Sequence, residues 1–184
     1  MKFRFLGVVP QHIGGDIDDT GYKAPWGLVD CDLWDPELVD FGSIYINHKW
    51  DDEHKLTSFG KSIAQIIHAH NVNAVCVPQT ESDPNQGYID ALTIVAQHFG
   101  KPVYHWPMDT IRYVVNDDPE SSTLDGVKSF LEKAYGKTPT SREPSKDHLD
   151  AIACATYSYC VAIDDAYLHK EATGQNFYCC VECG

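Results

Sequence analysis

The strongest constraint in this chain is a change of period near residue 50. Before it, apolar residues alternate or run in short bursts; after it, they recur every three or four positions. Residues 2–9, Lys-Phe-Arg-Phe-Leu-Gly-Val-Val, alternate and then turn apolar, as a strand entering a core should, and Pro10 ends them. The segment from Gln11 to Pro25 holds Gly14, Gly15, Asp16, Asp18 and Asp19 and reads as a loop. A second strand is expected at about Trp26–Leu33 and a third from Val39 to Asn47, with a turn at Trp34-Asp35-Pro36 between them. Three strands joined this closely read as an antiparallel meander.

Past residue 50, Leu56, Phe59, Ile63, Ile66 and Ile67 fall on one helical stripe over about Lys55–His70. Asn73–Gln79 is a buried strand closed by proline, and Ile89, Leu92, Val95, Ala96 and Phe99 mark a second helix ended by Gly100. A short strand from Lys101 to Trp106 leads to a short helix over Met108–Val115, and Leu124, Val127, Phe130, Leu131 and Ala134 mark another, closed at Gly136. After a Pro/Ser/Thr-rich loop, a final helix is expected to about Ala166. The order β-β-β-α-β-α-β-α-α-α predicts an α/β protein with a mixed sheet: a three-strand antiparallel meander plus parallel strands, flanked by helices. One domain over residues 1–166 is expected, followed by a Cys-containing tail over 167–184.

The 184 residues suffice for one sizeable core, and 43% hydrophobic content is ordinary for a globular chain. No apolar run has the length of a membrane span and the first residues lack a leader pattern, so no membrane association is expected. Seven cysteines without a regular framework point to a reducing, cytoplasmic compartment. Acids outnumber bases 27 to 14, a net charge of −13, with no basic cluster. That balance disfavours a chain that grips phosphates.

Asp147 and Asp150 open the last helix, three residues apart and therefore on one face. Carboxylates there suit either a divalent cation at the sheet edge or the positive end of the helix dipole.

Taken in order, several segments resemble the RuvC-type Holliday junction resolvases, which have an RNase H-like fold. They are Leu6-Gly7-Val8-Val9-Pro10, Thr20-Gly21-Tyr22, Phe41-Gly42-Ser43, Ala74–Gln79, Lys101-Pro102-Val103-Tyr104 with Trp106-Pro107, and Asp147–Ala153. The resemblance runs to about residue 163. It implies a homodimer and four carboxylates holding two magnesium ions, one on the first strand, one on the fourth and two on the last helix. Such ions would activate water and stabilise the leaving oxygen in phosphodiester cleavage. Here Val9 stands at the first-strand position and Pro78 at the fourth-strand position, leaving Asp147 and Asp150. Neither valine nor proline offers a side-chain oxygen. Glu81 is a candidate helper, as are Asp16, Asp18 and Asp19. On the DNA side Arg112 stands in for a lysine, Leu124 falls where a second lysine is implied, and Asn116-Asp117-Asp118-Pro119-Glu120 is acidic.

The expectation is therefore a catalytically inactive RuvC-like protein, needing no cofactor, that binds a protein partner. Its candidate surface aromatics are Tyr22, Trp26, Trp34, Trp50 and Tyr88. The alternative is a Mg²⁺-dependent structure-selective endonuclease using Asp147 and Asp150. Other features carry less. Asp30, Asp32 and Asp35 alternate like solvated charges on a strand, and His148 suits a cap or the surface. Cys31, Cys76, Cys154 and Cys160 read as core, and Cys179, Cys180 and Cys183 as loose thiols with half a zinc-site spacing.

Overall fold

The computed structural model describes residues 3–10, 22–32, 35–79, 85–116 and 144–173. In chain order its elements are β1 (Phe3–Val8), β2 (Tyr22–Asp32), β3 (Asp35–Ile46), α1 (Asp52–His70), β4 (Ala74–Gln79), α2 (Gln86–His98), β5 (Val103–Pro107), α3 (Met108–Asn116) and α4 (Lys146–Thr173). The strands form one sheet in the order β3-β2-β1-β4-β5. The β1–β2 and β2–β3 pairs are antiparallel, and the β1–β4 and β4–β5 pairs parallel. This is the mixed α/β sheet that the change of period predicts.

Strand parity divides the core. Leu6, Val8, Leu28, Ile44, Ile46, Val75 and Val77 point to one face, where Phe59, Ile63 and Ile67 of α1 and Ile89, Leu92 and Ala96 of α2 cover them. Phe5, Val29, Phe41 and Cys76 point to the other, against Ile152, Ala153 and Ala155 of α4. Each fully buried Leu, Ile or Phe contributes about 1.5–3 kcal/mol. Helix α1 starts because the Asp51 carboxylate accepts the His54 N–H at 2.8 Å, with Asp52 and Glu53 following in the first turn. It stops at Asn71, which takes the left-handed conformation (φ 52°).

Helix α4 sits very close to the sheet. A Cβ on Gly7 would lie 1.9 Å from the Ala151 carbonyl oxygen, and one on Gly27 2.6 Å from Ile152 Cγ1. Glycine in the strands and alanine in the helix make that approach possible.

The expected boundaries move in three places. Strand β2 begins at Tyr22, so Pro25 lies inside it. Its carbonyl accepts from Val9 just past the end of β1, and its missing N–H forfeits only the return bond of that last pair. Strand β3 begins at Asp35, and Asp35 and Pro36 pair with Asp32 and Cys31 instead of forming a turn. Helix α4 runs to Thr173, past the expected end near Ala166, on a stretch of good helix formers. The helix expected around Leu124–Ala134 lies outside the described residues.

Asp30 corrects its expectation outright. It is buried, not solvated. Arg4 stands directly opposite it on β1, and the two form a bidentate ion pair through Arg4 Nε to Oδ1 and Arg4 Nη2 to Oδ2, the latter at 2.6 Å. Arg4 Nη1 also donates to the His70 carbonyl at the end of α1, at 2.5 Å. The carboxylate holds the Arg4 guanidinium above its ordinary value.

Candidate functional site

The site forms where β1 and β4 end beneath the first turn of α4. Val9 follows β1 and donates its N–H to the Pro25 carbonyl at 3.0 Å, which aligns Val9 with Pro25 and Pro25 with Ser43 of β3. Pro78 is paired with Trp106 on the other side. Val9, Pro25 and Pro78 are all buried and lie on the α4 face by strand parity. The floor beneath the helix is therefore an apolar row.

Pro78 also shapes the backbone. Val75 donates its N–H to Pro102 beside β5, so the even-numbered amides of β4 turn toward β1. The β1–β4 ladder stops at Gly7↔Cys76. Its next rung would need the N–H that Pro78 lacks.

Above this floor, Asp150 is buried at 4% exposure in the first turns of α4. Asp147 precedes it by one turn; its side chain, like that of Arg112 on α3, lies outside the described part of the structure. Glu81, Leu124, the loop acids Asp16, Asp18 and Asp19, and the tail cysteines Cys179, Cys180 and Cys183 lie outside the described residues. Among the described residues no three His, Cys, Asp or Glu side chains converge as a metal site would require.

His148 ties the helix down. Its Nδ1 accepts from the Ser145 N–H at 3.2 Å and meets the Ser145 hydroxyl at 2.8 Å, while Nε2 lies 3.0 Å from Ser43 Oγ on β3. Ser145 in turn accepts the His148 and Leu149 amides through its carbonyl. This is one half of a capping box, with histidine in the place of Glu or Gln. Because Nδ1 accepts from the backbone, the proton belongs on Nε2, which donates to Ser43. His148 is then not placed to take a proton from Ser43, and the pair is a staple between β3 and α4 rather than a nucleophile and base. The Phe41 ring packs on it with centroids 5.1 Å apart. The cap was legible as Ser-x-x-His; the reach to Ser43 was not, because nothing in sequence sets β3 beside α4.

The buried thiols of Cys76 on β4 and Cys154 on α4 are unreactive because of their burial. Desolvation pushes Cys76 up to about 12 and raises Cys154 well above the usual thiol range. Both are core residues, as expected; the side chains of Cys31 and Cys160 are outside the described part. Of the expected surface aromatics, Trp50 is exposed, but Trp26 and Tyr88 are half-buried, Tyr88 edge-on to Phe59 at 5.3 Å. Their apolar faces cover the aliphatic core. Tyr22 and Trp34 have no described side chain.

No family model and no curated protein matches the sequence. Solved structures do. RuvC of Thermus thermophilus in complex with a Holliday junction substrate superposes with a TM-score of 0.72 at 15% identity, over 89% of this chain and 96% of that one. This chain has the RuvC-type, RNase H-like fold. The fowlpox virus resolvase bound to Holliday junction DNA gives 0.53 at 11% identity, over 88% and 99%. The yeast mitochondrial Holliday junction resolvase gives 0.52 at 10%, over 84% and 76%. Val9 and Pro78, buried at the ends of β1 and β4, carry no side-chain oxygen. The described side chains leave Asp150 there as the acid in place. They do not fit a pair of magnesium ions. Among the described residues no helix is long and apolar enough to cross a membrane.

Proposed function

We propose that this protein keeps the RuvC-type fold without its two-metal nuclease site and acts as a binding module for a protein partner. The observation that supports this most is the apolar row: Val9 at 6% exposure and Pro78, also buried, are the residues that the family resemblance sets at two of the four metal-holding positions. A side chain with no oxygen cannot bridge or fix an ion, and a buried neighbour cannot swing aside to admit one. The net charge of −13 favours a protein partner over a phosphate backbone.

A second role has one observation behind it. Resolvases bound to Holliday junctions share this fold over nearly their whole length, and Asp150 sits at the site's expected helix. That supports a Mg²⁺-dependent structure-selective endonuclease in which Asp147 and Asp150 act with acids from the loops. One experiment separates the two. The protein is incubated with a synthetic four-way junction and Mg²⁺ or Mn²⁺, beside an Asp147→Asn, Asp150→Asn variant. No cleavage and no salt-sensitive gel shift is the expected result. Cleavage abolished in the variant would overturn the binding-module role.

A further inference from the structure

The partner surface can be located on the outer edge of β3. Strand β3 is a terminal strand of the sheet and spans twelve residues. The direction of its backbone groups follows from one bond. Val9 bonds the Pro25 carbonyl, so odd-numbered groups of β2 turn to β1 and even-numbered ones to β3. Tyr22↔Ile46, Ala24↔Ile44 and Trp26↔Gly42 are therefore the bonded pairs, and Phe41, Ser43 and Tyr45 turn their N–H and C=O groups outward.

This edge is protected at one end and open at the other. The Phe41 N–H is taken by the Asp40 carboxylate at 2.8 Å. The Ser43 and Tyr45 amides have no partner among the described residues, and the Tyr45 side chain is 63% exposed. The opposite edge differs: β5 is five residues long, follows Pro102 and ends on Pro107, the devices that blunt an edge. Beside the open stretch runs a groove of about 500 Å³ lined by Trp26, Ile44 and Tyr45 from the sheet and Ser62, Gln65 and Ile66 from α1. The Trp26 indole, one wall of the groove, lies against Gly42, where a Cβ would be 2.8 Å from it.

Charge selects the occupant. From Asp35 to Glu53 the chain carries six carboxylates, Asp35, Glu37, Asp40, Asp51, Asp52 and Glu53, against Lys49. They bracket the open stretch on both sides, while the groove itself is lined by no Asp, Glu, Lys or Arg and has His70 as its one ionisable side chain. We infer that β3 accepts an extended peptide as a sixth strand, bonded to Ser43 and Tyr45, with small or apolar side chains over the groove and Lys or Arg at its ends. A second copy of this chain would bring the same acids against themselves.

The inference rests on the binding-module role but is tested apart from it. The probe is the fluorescein-labelled peptide Lys-Lys-Thr-Val-Thr-Val-Thr-Lys-Lys, with a counterpart carrying Glu for each Lys, titrated into the full chain and followed by amide hydrogen exchange. Expected are saturable binding, slowed exchange at Ser43 and Tyr45, and affinity for the acidic peptide lower by about tenfold or more. Tyr45→Pro removes an outward donor that the β2–β3 ladder does not use, and should weaken binding by about fivefold. If that variant misfolds, Glu37→Lys with Glu53→Lys tests the same point by reversing the preference between peptides. Equal binding of the two peptides, or binding without protection of Ser43 and Tyr45, overturns the inference. So does a dimer that protects those amides without peptide. Junction cleavage bears only on the binding-module role; failure at the edge alone leaves that role standing with its partner surface elsewhere.

Discussion

The two faces of the sheet are packed to different rules. Against α1 and α2 the sheet presents Leu, Ile and Val, and the helices answer with Phe59, Ile63, Ile67 and Leu92. Such a face holds by volume and relaxes a little when a methyl is lost. Against α4 the contact is between backbones, through Gly7 and Gly27, and the helix buries polar groups too: Asp150, Thr156 and Ser158. Thr156 and Ser158 return their hydroxyls to the carbonyls of Ile152 and Cys154 one turn back. The first face supplies stability; the second fixes where the start of α4 stands to within the tolerance of a backbone contact. That difference places the start of α4 by packing alone. The helix is held by glycines and a histidine staple, none of which is a metal ligand here.

Substitution should break the second face before the first. Gly7→Ala puts a methyl into the Ala151 carbonyl, and should cost about 4 kcal/mol or prevent folding, where Ile63→Val costs about 1 kcal/mol; thermal melts of both variants measure the gap. If Gly7→Ala melts like wild type, α4 does not press on the sheet as described. Next in size, Val9→Asp with Pro78→Glu places two carboxylates on the apolar row beside Asp150. Without divalent ions this should destabilise by about 3 kcal/mol, and Mn²⁺ should restore part of the loss, a recovery absent in wild type. No metal response in the double variant would mean that the row does not occupy the metal positions.

On the first face, Asp30→Ala should cost about 2 kcal/mol by stranding Arg4, read from urea midpoints. The sign of any pH effect from Arg4 is fixed. Its folded value is raised, so its contribution is complete below the ordinary arginine value and lost only as pH rises through the raised one. Titration of Arg4 therefore gives no slope between about pH 5 and 9. A slope that disappears in Arg4→Met would contradict the pair. The smallest effect belongs to the cap: His148→Ala should cost about 1 kcal/mol, and His148→Gln, able to close the same box, roughly half that. Equal losses would point to the Ser43 bond as the part that matters.

Much of this fold was legible because periodicity survives in a single sequence. The helical stripe from Leu56 to Ile67 and the alternation from Phe3 to Val8 each name an element and its buried side. What failed were features that depend on register. Pro25 looked like a loop residue until its missing N–H was seen to fall at the last pair of the β1–β2 ladder, where Val9 bonds its carbonyl. Asp30 looked solvated because its partner, 26 positions away, becomes adjacent only when β1 and β2 pair. The apolar row was half legible: Val9 and Pro78 stood out by resemblance, but that Pro25 continues the row, with Ser43 beyond it, required the sheet. The open edge of β3 was not legible at all, since which strand ends a sheet is a property of topology.

The latch around Arg4 has a consequence in time. Its side chain meets Asp30 and the His70 carbonyl, and its backbone exchanges bonds with Asn73, whose N–H it accepts and whose side chain takes its own, each at 2.9 Å. The first partner belongs to the meander, whose pairings are short in sequence. The others arrive only after the long crossover through α1 has closed, and closing a loop of that length is the slower step. Arg4 thus joins an early event to a late one. Pulse-labelled exchange during refolding should show the β2–β3 amides protected before those of β4; simultaneous protection would mean that the sheet assembles in one concerted step.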